Sequence, residues 1–171
     1  MRTTRWIHVG ILSAALAAGG MALAEPAVAG GDRGFLTQAL ATNRSELALG
    51  RLAIERAATP AVREMGQKMV QKHTEIGRQL DERAVALSVA VAANTAQENA
   101  TWARLAALSG KEFDEAFKQT IDGIHRRELA LYEAEAKSTT SRELHTLVQG
   151  RVVSLRKSLV DSQPVKQDQD W

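Results

Sequence analysis

The chain contains no cysteine, so no disulfide can brace it in any compartment and packing alone must hold the fold. Aromatic residues are scarce, with three Trp, three Phe and one Tyr among 171 residues, and they form no stacking cluster of the kind that grips nucleic-acid bases. Neither sign of charge dominates, since 22 Lys+Arg stand against 20 Asp+Glu. No nucleophile–base pair, phosphate loop or nucleotide motif is present. Proline occurs only at Pro26, Pro60 and Pro164, which leaves long stretches free of helix breakers. Strand-like alternation is missing too, and the one sustained apolar run lies at the N-terminus.

That run has the order of a secretory leader. Arg2 and Arg5 precede the mostly apolar segment 7–20, and Ala22-Leu23-Ala24 supplies small residues for cleavage before Glu25. Interrupted by His8, Ser13 and several glycines, the run is short for a span of about 20 residues. The expected organisation is a signal peptide over 1–24, a flexible link over 25–31, a folded domain over 32–163 and a loose polar tail over 164–171. With the two leader arginines gone, cations and anions balance at 20 each. A neutral mature chain argues against nucleic acid as a partner, no transmembrane span is expected in it, and the periplasm is the expected compartment.

What is present is helical periodicity. Leu36, Leu40, Asn43, Leu47, Gly50, Ile54 and Ala57 step by three and four, a seam ending near Ala57 in which Gly50 leaves room for a close neighbour. Asn43 within it marks either a polar layer or a slight rotation of the helix. Thr59-Pro60 reads as cap and first residue of a second helix running to about Leu87. A non-helical stretch over 88–94 and a short helix from about Thr95 to Leu108 follow. Ser109–Glu112 and Thr140–Glu143 each have capping-box spacing, opening a third long helix to about Lys137 and a fourth carrying Leu144, Val148, Val152, Leu155 and Leu159 to the break at Pro164. Short links between helices one and two and between three and four force antiparallel hairpins. The long link between the hairpins can travel the ~40 Å length of a 27-residue helix. The expected fold is therefore all-α: a ferritin-like four-helix bundle with a long crossover carrying a short extra helix.

Two histidines fall on or beside the inward stripes. His73 lies among Val62, Met65, Met69, Ile76 and Leu80, and His125 among Phe113, Phe117, Ile121 and Tyr132. At 1.5 Å per residue, His73 and His125 sit ~20 and ~22 Å from the starts of their helices, and Glu46 ~18 Å from the end of its own. All three share one middle layer.

The segments Glu46–Ala53, Met69–His73 and Leu108–Asp114, followed by His125, resemble the secreted ferritin-like family catalogued as domain of unknown function 4142. The resemblance covers about 34–159 and implies a ferritin-like bundle in the periplasm or at the outer membrane of a Gram-negative bacterium, with no assigned activity. The family pattern usually carries an acid before each central histidine, where this chain has Lys72 and Ile124. It often has a further histidine near the end of the last helix, where this chain has Ser158.

A di-iron bundle needs a Glu from each of two helices and a Glu-x-x-His from each of the other two. Val70 stands three residues before His73, and no acid occurs at the matching depth of the last helix, which argues against a two-metal site. Glu46, His73, His125 and Glu128 or Asp122 would suffice for a single Zn or Fe. The competing reading makes the same residues a hydrogen-bonded polar core layer with no cofactor. His145 reads as solvent-facing, Arg126-Arg127 as salt-bridging to neighbouring helices, and Trp102, Met65 and Met69 as packing. The leading functional expectation is a non-catalytic periplasmic bundle that binds an envelope protein partner in envelope maintenance or stress tolerance. The alternative is a metal-binding or metal-dependent oxidative protein built on the middle layer.

Overall fold

The computed structural model describes residues 31–90 and 95–162. The expected leader, all but the last residue of the link, part of the crossover, the domain's last residue Gln163 and the tail over 164–171 lie outside them. Five helices fill the rest: α1 Gly31–Arg56, α2 Pro60–Ala86, α3 Ala96–Ala106, α4 Gly110–Ser138 and α5 Arg142–Asp161.

The turn between α1 and α2 is built as its sequence predicts. Thr59 is extended and its hydroxyl accepts from the Val62 amide, with proline at the first helical position. A second cap reaches in from α4. The Asp114 carboxylate accepts from the Ala58 and Thr59 amides, both at 3.0 Å, and from the Thr59 hydroxyl at 2.6 Å. Burial alone would raise the pKa of Asp114, but the Thr59 hydroxyl and the two amides outweigh it and hold it below the usual range. Nearby, Gly110 at φ +62° lets the backbone turn to bridge Ala57.

The expected capping boxes are redistributed. Ser109 flanks α4 but makes no side-chain cap bond. At α5 the cap is Ser141, one residue later than expected, accepting from the Leu144 amide. The complete capping box belongs to α3, where Thr95 and Glu98 satisfy each other's backbone amides.

Helices α1 and α2 form an antiparallel hairpin whose closest approach is at Gly50 and Gly66. A Cβ at Gly66 would lie 2.7 Å from the Gly50 carbonyl oxygen and 2.9 Å from the Ala53 Cβ, so no side chain fits at this crossing. The α1 seam is turned slightly from the expected one. Glu46 and Ala53 are buried, while Leu47 and Ile54 are only half-buried. The reason is that α1 packs against α2, α3 and α4 at once and so buries more than one stripe. Helices α2 and α4 both begin beside the C-terminal end of α1, where Asp114 bonds Thr59 and Gly110 bridges Ala57, so they run parallel to each other and antiparallel to α1, with α5 antiparallel to α4. This is the ferritin-like arrangement.

Two apolar clusters occupy the interior. One joins Phe35, Leu36, Leu40, Leu80, Ala84 and Tyr132 to Leu144, Val148, Val152 and Leu155 of α5. The other joins Leu49, Leu52, Ala53, Val62 and Met69 to Phe113, Phe117, Ile121 and Ile124. Helix α5 gives nothing to the second cluster; Leu105 of the crossover helix α3 enters there instead. Trp102 on the same short helix is 46% exposed, which corrects the expectation of core or lid packing.

Candidate metal centre

A layer of polar side chains separates the two apolar clusters. Helix α2 buries Val62, Gly66, Met69, His73, Gly77, Leu80 and Ala84, at steps of three and four, and His73 occupies the central position. Helix α4 buries Ile121, Ile124, Glu128 and Tyr132 at the same steps. His125 follows Ile124 at the stripe's edge, its side chain 13% exposed. Helix α1 contributes Asn43 and Glu46, at 2% and 0% exposure, and α5 contributes Arg151 at 5%.

These groups converge on Glu46. The His73 Nδ1 lies 3.3 Å from Glu46 Oε2, and the His125 Nε2 lies 3.2 Å from Oε1. Neither Glu46 oxygen makes a hydrogen bond of acceptable geometry despite that proximity. His73 Nδ1 also lies 3.0 Å from Asn43 Oδ1. Gly77 makes room for Asn43, since a Cβ there would stand 2.7 Å from its Nδ2. Arg151 grips Glu128 with two bonds, Nη2 to Oε2 at 2.6 Å and Nε to Oε1 at 3.2 Å. The same Nη2 stands 3.7 Å from Glu46 Oε2. The hydroxyl of Tyr132, one turn beyond Glu128, is buried without a hydrogen bond of acceptable geometry.

Burial sets the protonation of the layer. It pushes Glu46 up to about 7, with Arg151 and then Lys72 pulling the other way. Burial and then the Glu46 charge push Glu128 up to about 7 against Arg151. Burial, then Arg151 and Lys72, press His73 down to about 2. His125 falls to about 4, mainly through burial, with Glu128 opposing. Both imidazoles are thus neutral at physiological pH, the state in which a ring nitrogen offers its lone pair.

The structure brings together four of the five residues singled out from sequence. One donor atom each from Glu46, His73 and His125 falls within 4.8 Å of the others. Glu128 is in the layer, but Arg151 occupies both of its oxygens. Asp122 faces elsewhere, pairing with Arg126 at 2.8 Å and accepting from the Ser162 hydroxyl at 2.8 Å. Arg126 therefore bridges within its own helix rather than to a neighbouring one. His145 is exposed, as expected. Sequence reasoning missed Arg151. It stands three residues after Val148 and four before Leu155, on the inward stripe, and that spacing was the available signal.

With Glu128 engaged and α5 presenting a cation, these residues do not fit a two-metal carboxylate centre. They fit one ion. Ligand atoms around a tetrahedral ion with ~2.0–2.2 Å bonds lie about 3.3–3.6 Å apart, close to the 3.2 and 3.3 Å separations from Glu46 to the two imidazoles.

A family model described as a domain of unknown function, DUF4142, matches residues 17–163. No curated protein matches the chain. Among solved structures, a DUF305 fragment from Deinococcus radiodurans is similar with a TM-score of 0.68 and 17% identity, over 76% of this chain and 91% of that one. CopM in its Cu(I)-bound form is similar with a TM-score of 0.66 and 12% identity, over 78% and 93% of the two chains. Its Ag-bound form gives a TM-score of 0.64 and 13% identity, over 78% and 92%. Likeness at these identities shows the fold alone.

Proposed function

The chain belongs to the DUF4142 family, whose description assigns no function, and we propose from the layer itself that the protein is a non-catalytic, metal-binding bundle of the bacterial envelope. It holds one transition-metal ion with Glu46, His73 and His125. One observation carries this reading: a fully buried carboxylate has both oxygens without a hydrogen bond while two neutral imidazoles face them at 3.2 and 3.3 Å. Buried polar atoms are almost always satisfied, and an ion between these groups would satisfy both carboxylate oxygens, displacing the Nδ1 proton that His73 directs at Asn43 Oδ1. The similar fold of CopM, solved with Cu(I) and with Ag bound, lends support from outside the chain.

Export follows from the leader-like residues 1–24, and no described helix is long and apolar enough to cross a membrane. An envelope protein partner, the first expectation from sequence, has less behind it. The large apolar side chains exposed among the described residues are Val85, Trp102, Val153 and Val160, and single exposed apolar residues are ordinary.

Elemental analysis of the protein purified from its own periplasm, without affinity-tag metals, tests the reading. About one equivalent of a transition metal is expected in the wild type and none in His73→Leu or Glu46→Gln. Circular dichroism should show unchanged helicity after chelation, because packing and caps form the bundle. Wild-type protein that carries no metal and takes up none on reconstitution would refute the proposal.

A further inference from the structure

Arg151 is the largest departure of this layer from a simple metal site. A guanidinium 3.7 Å from the central carboxylate repels any cation that enters, yet it is buried and cannot swing into water while it holds Glu128 in two bonds. Its presence must shape which ion the layer accepts.

The inner charges are few. Glu46 and Glu128 are acids at 0% and 3% exposure, and Arg151 is the base between them at 5%. The histidines contribute nothing while neutral. Lys72, half-buried at the edge of α2, acts on Glu46 and both histidines from outside the enclosed layer, so Arg151 is the one cation enclosed with the two acids among the described residues. With both acids ionised, as they are once an entering ion has displaced the protons that burial favours on them, two carboxylates against the one enclosed guanidinium leave the layer one positive charge short. A low-dielectric interior penalises any net charge it cannot compensate. One monovalent cation closes the deficit, whereas a divalent one overshoots it.

Resting on the metal-binding reading above, we infer that the layer is charge-matched to one monovalent, nitrogen-seeking cation of the Ag(I) or Cu(I) class, and that Arg151 is the residue that discriminates against divalent ions. The donors agree with this, since two imidazoles suit soft and borderline ions better than they suit Mg²⁺ or Ca²⁺.

The inference implies a cycle. Removing Arg151 leaves two uncompensated carboxylates, a match for a divalent ion. Removing the Glu128 charge as well returns the layer to a single deficit. For a guanidinium roughly 6 Å from the ion and an effective dielectric near 20, each unit of ion charge gains about 100-fold in affinity when Arg151 is lost. The ratio of Ag(I) to Zn(II) affinity should therefore fall about 100-fold in Arg151→Met and return to within about 10-fold of wild type in Glu128→Gln/Arg151→Met.

The experiment titrates the full chain with silver nitrate and with zinc nitrate in chloride-free buffer. It follows the imidazole nitrogen resonances of His73 and His125 and the affinities from competition. Expected are one equivalent of Ag(I) moving both histidines in the wild type, the fall in ratio in Arg151→Met, and its recovery in the double variant. A ratio unchanged in Arg151→Met, or one that falls without recovering, overturns the charge match while leaving metal binding intact. If neither ion moves the histidines of the wild type, the metal reading fails and this inference with it. Should Arg151→Met not fold, Glu128→Gln alone decides: the inference requires it to weaken Ag(I) at least 10-fold, and an unaltered affinity overturns it.

Discussion

Replacing Asp114 with alanine should destabilise the bundle more than any change at the adjacent helix start. The carboxylate accepts three hydrogen bonds, from the Ala58 amide, the Thr59 amide and the Thr59 hydroxyl. Bonds to a charged acceptor are worth about 1.5–3 kcal/mol each. Ala58 and Thr59 are exposed, so water can replace part of what is lost, and the expected cost is about 2–4 kcal/mol rather than the full sum. Asp114→Asn keeps an acceptor and the shape but loses the charge, and should cost about half as much. Ser109→Ala is the control. Its hydroxyl makes no cap bond, so its loss should cost less than about 0.5 kcal/mol, against about 1 kcal/mol for a working cap. Urea denaturation followed by circular dichroism measures all three. Because Asp114 is held below its ordinary value of 3.8, its contribution is complete above that pH and lost as pH falls through the lowered folded value. The gap between wild type and Asp114→Asn should therefore narrow in strong acid. Equal losses for Ser109→Ala and Asp114→Ala, or a gap that does not change with pH, would refute a charge-assisted cap made across the fold.

Other outcomes follow from the same structure. Gly66→Ala should destabilise, because its Cβ would meet the Gly50 carbonyl at 2.7 Å. Gly150→Ala, with nothing within 4 Å of its Cβ, should stabilise by about 0.5–1 kcal/mol; thermal melts distinguish them. Burial and then the neighbouring Asp32 push Glu135 up to about 7 from an ordinary 4.5. Since the folded state holds that proton more tightly, its contribution to stability falls as pH rises from about 4.5 to about 7, and Glu135→Gln should reduce the slope of urea midpoints over that range. Intact mass of exported protein should begin at Glu25, and a membrane species retaining residues 1–24 would contradict cleavage.

The long helices were legible because their buried residues recur at steps of three and four, and because Thr59-Pro60 is a local signal needing no partner. Depth was legible too: counting rise along three helices put Glu46, His73 and His125 in one plane before any contact was known. Arg151 was not, because a cation on an inward stripe reads as a gap in the stripe until the acid opposite it is known. Asp114 escaped for a related reason. Its cap bonds join residues 55 and 56 positions apart, a distance over which local spacing carries no information. Ser109–Glu112 has the letters of a capping box, yet its side-chain cap does not form at the left-handed Gly110.

The division of the interior by a polar plane also limits how the helices can slide. One turn of an α-helix advances about 5.4 Å. An α5 displaced by one turn along α4 would carry Arg151 away from both carboxylates and into apolar surroundings, stranding three buried charges. An all-apolar seam would resist such a slip only weakly, since one leucine replaces another at the next step. The charged plane makes each alternative alignment far worse than the native one, even where it adds little to the stability of the native alignment itself. Its mechanical effect is that of a key in a slot, holding four helices to a single register.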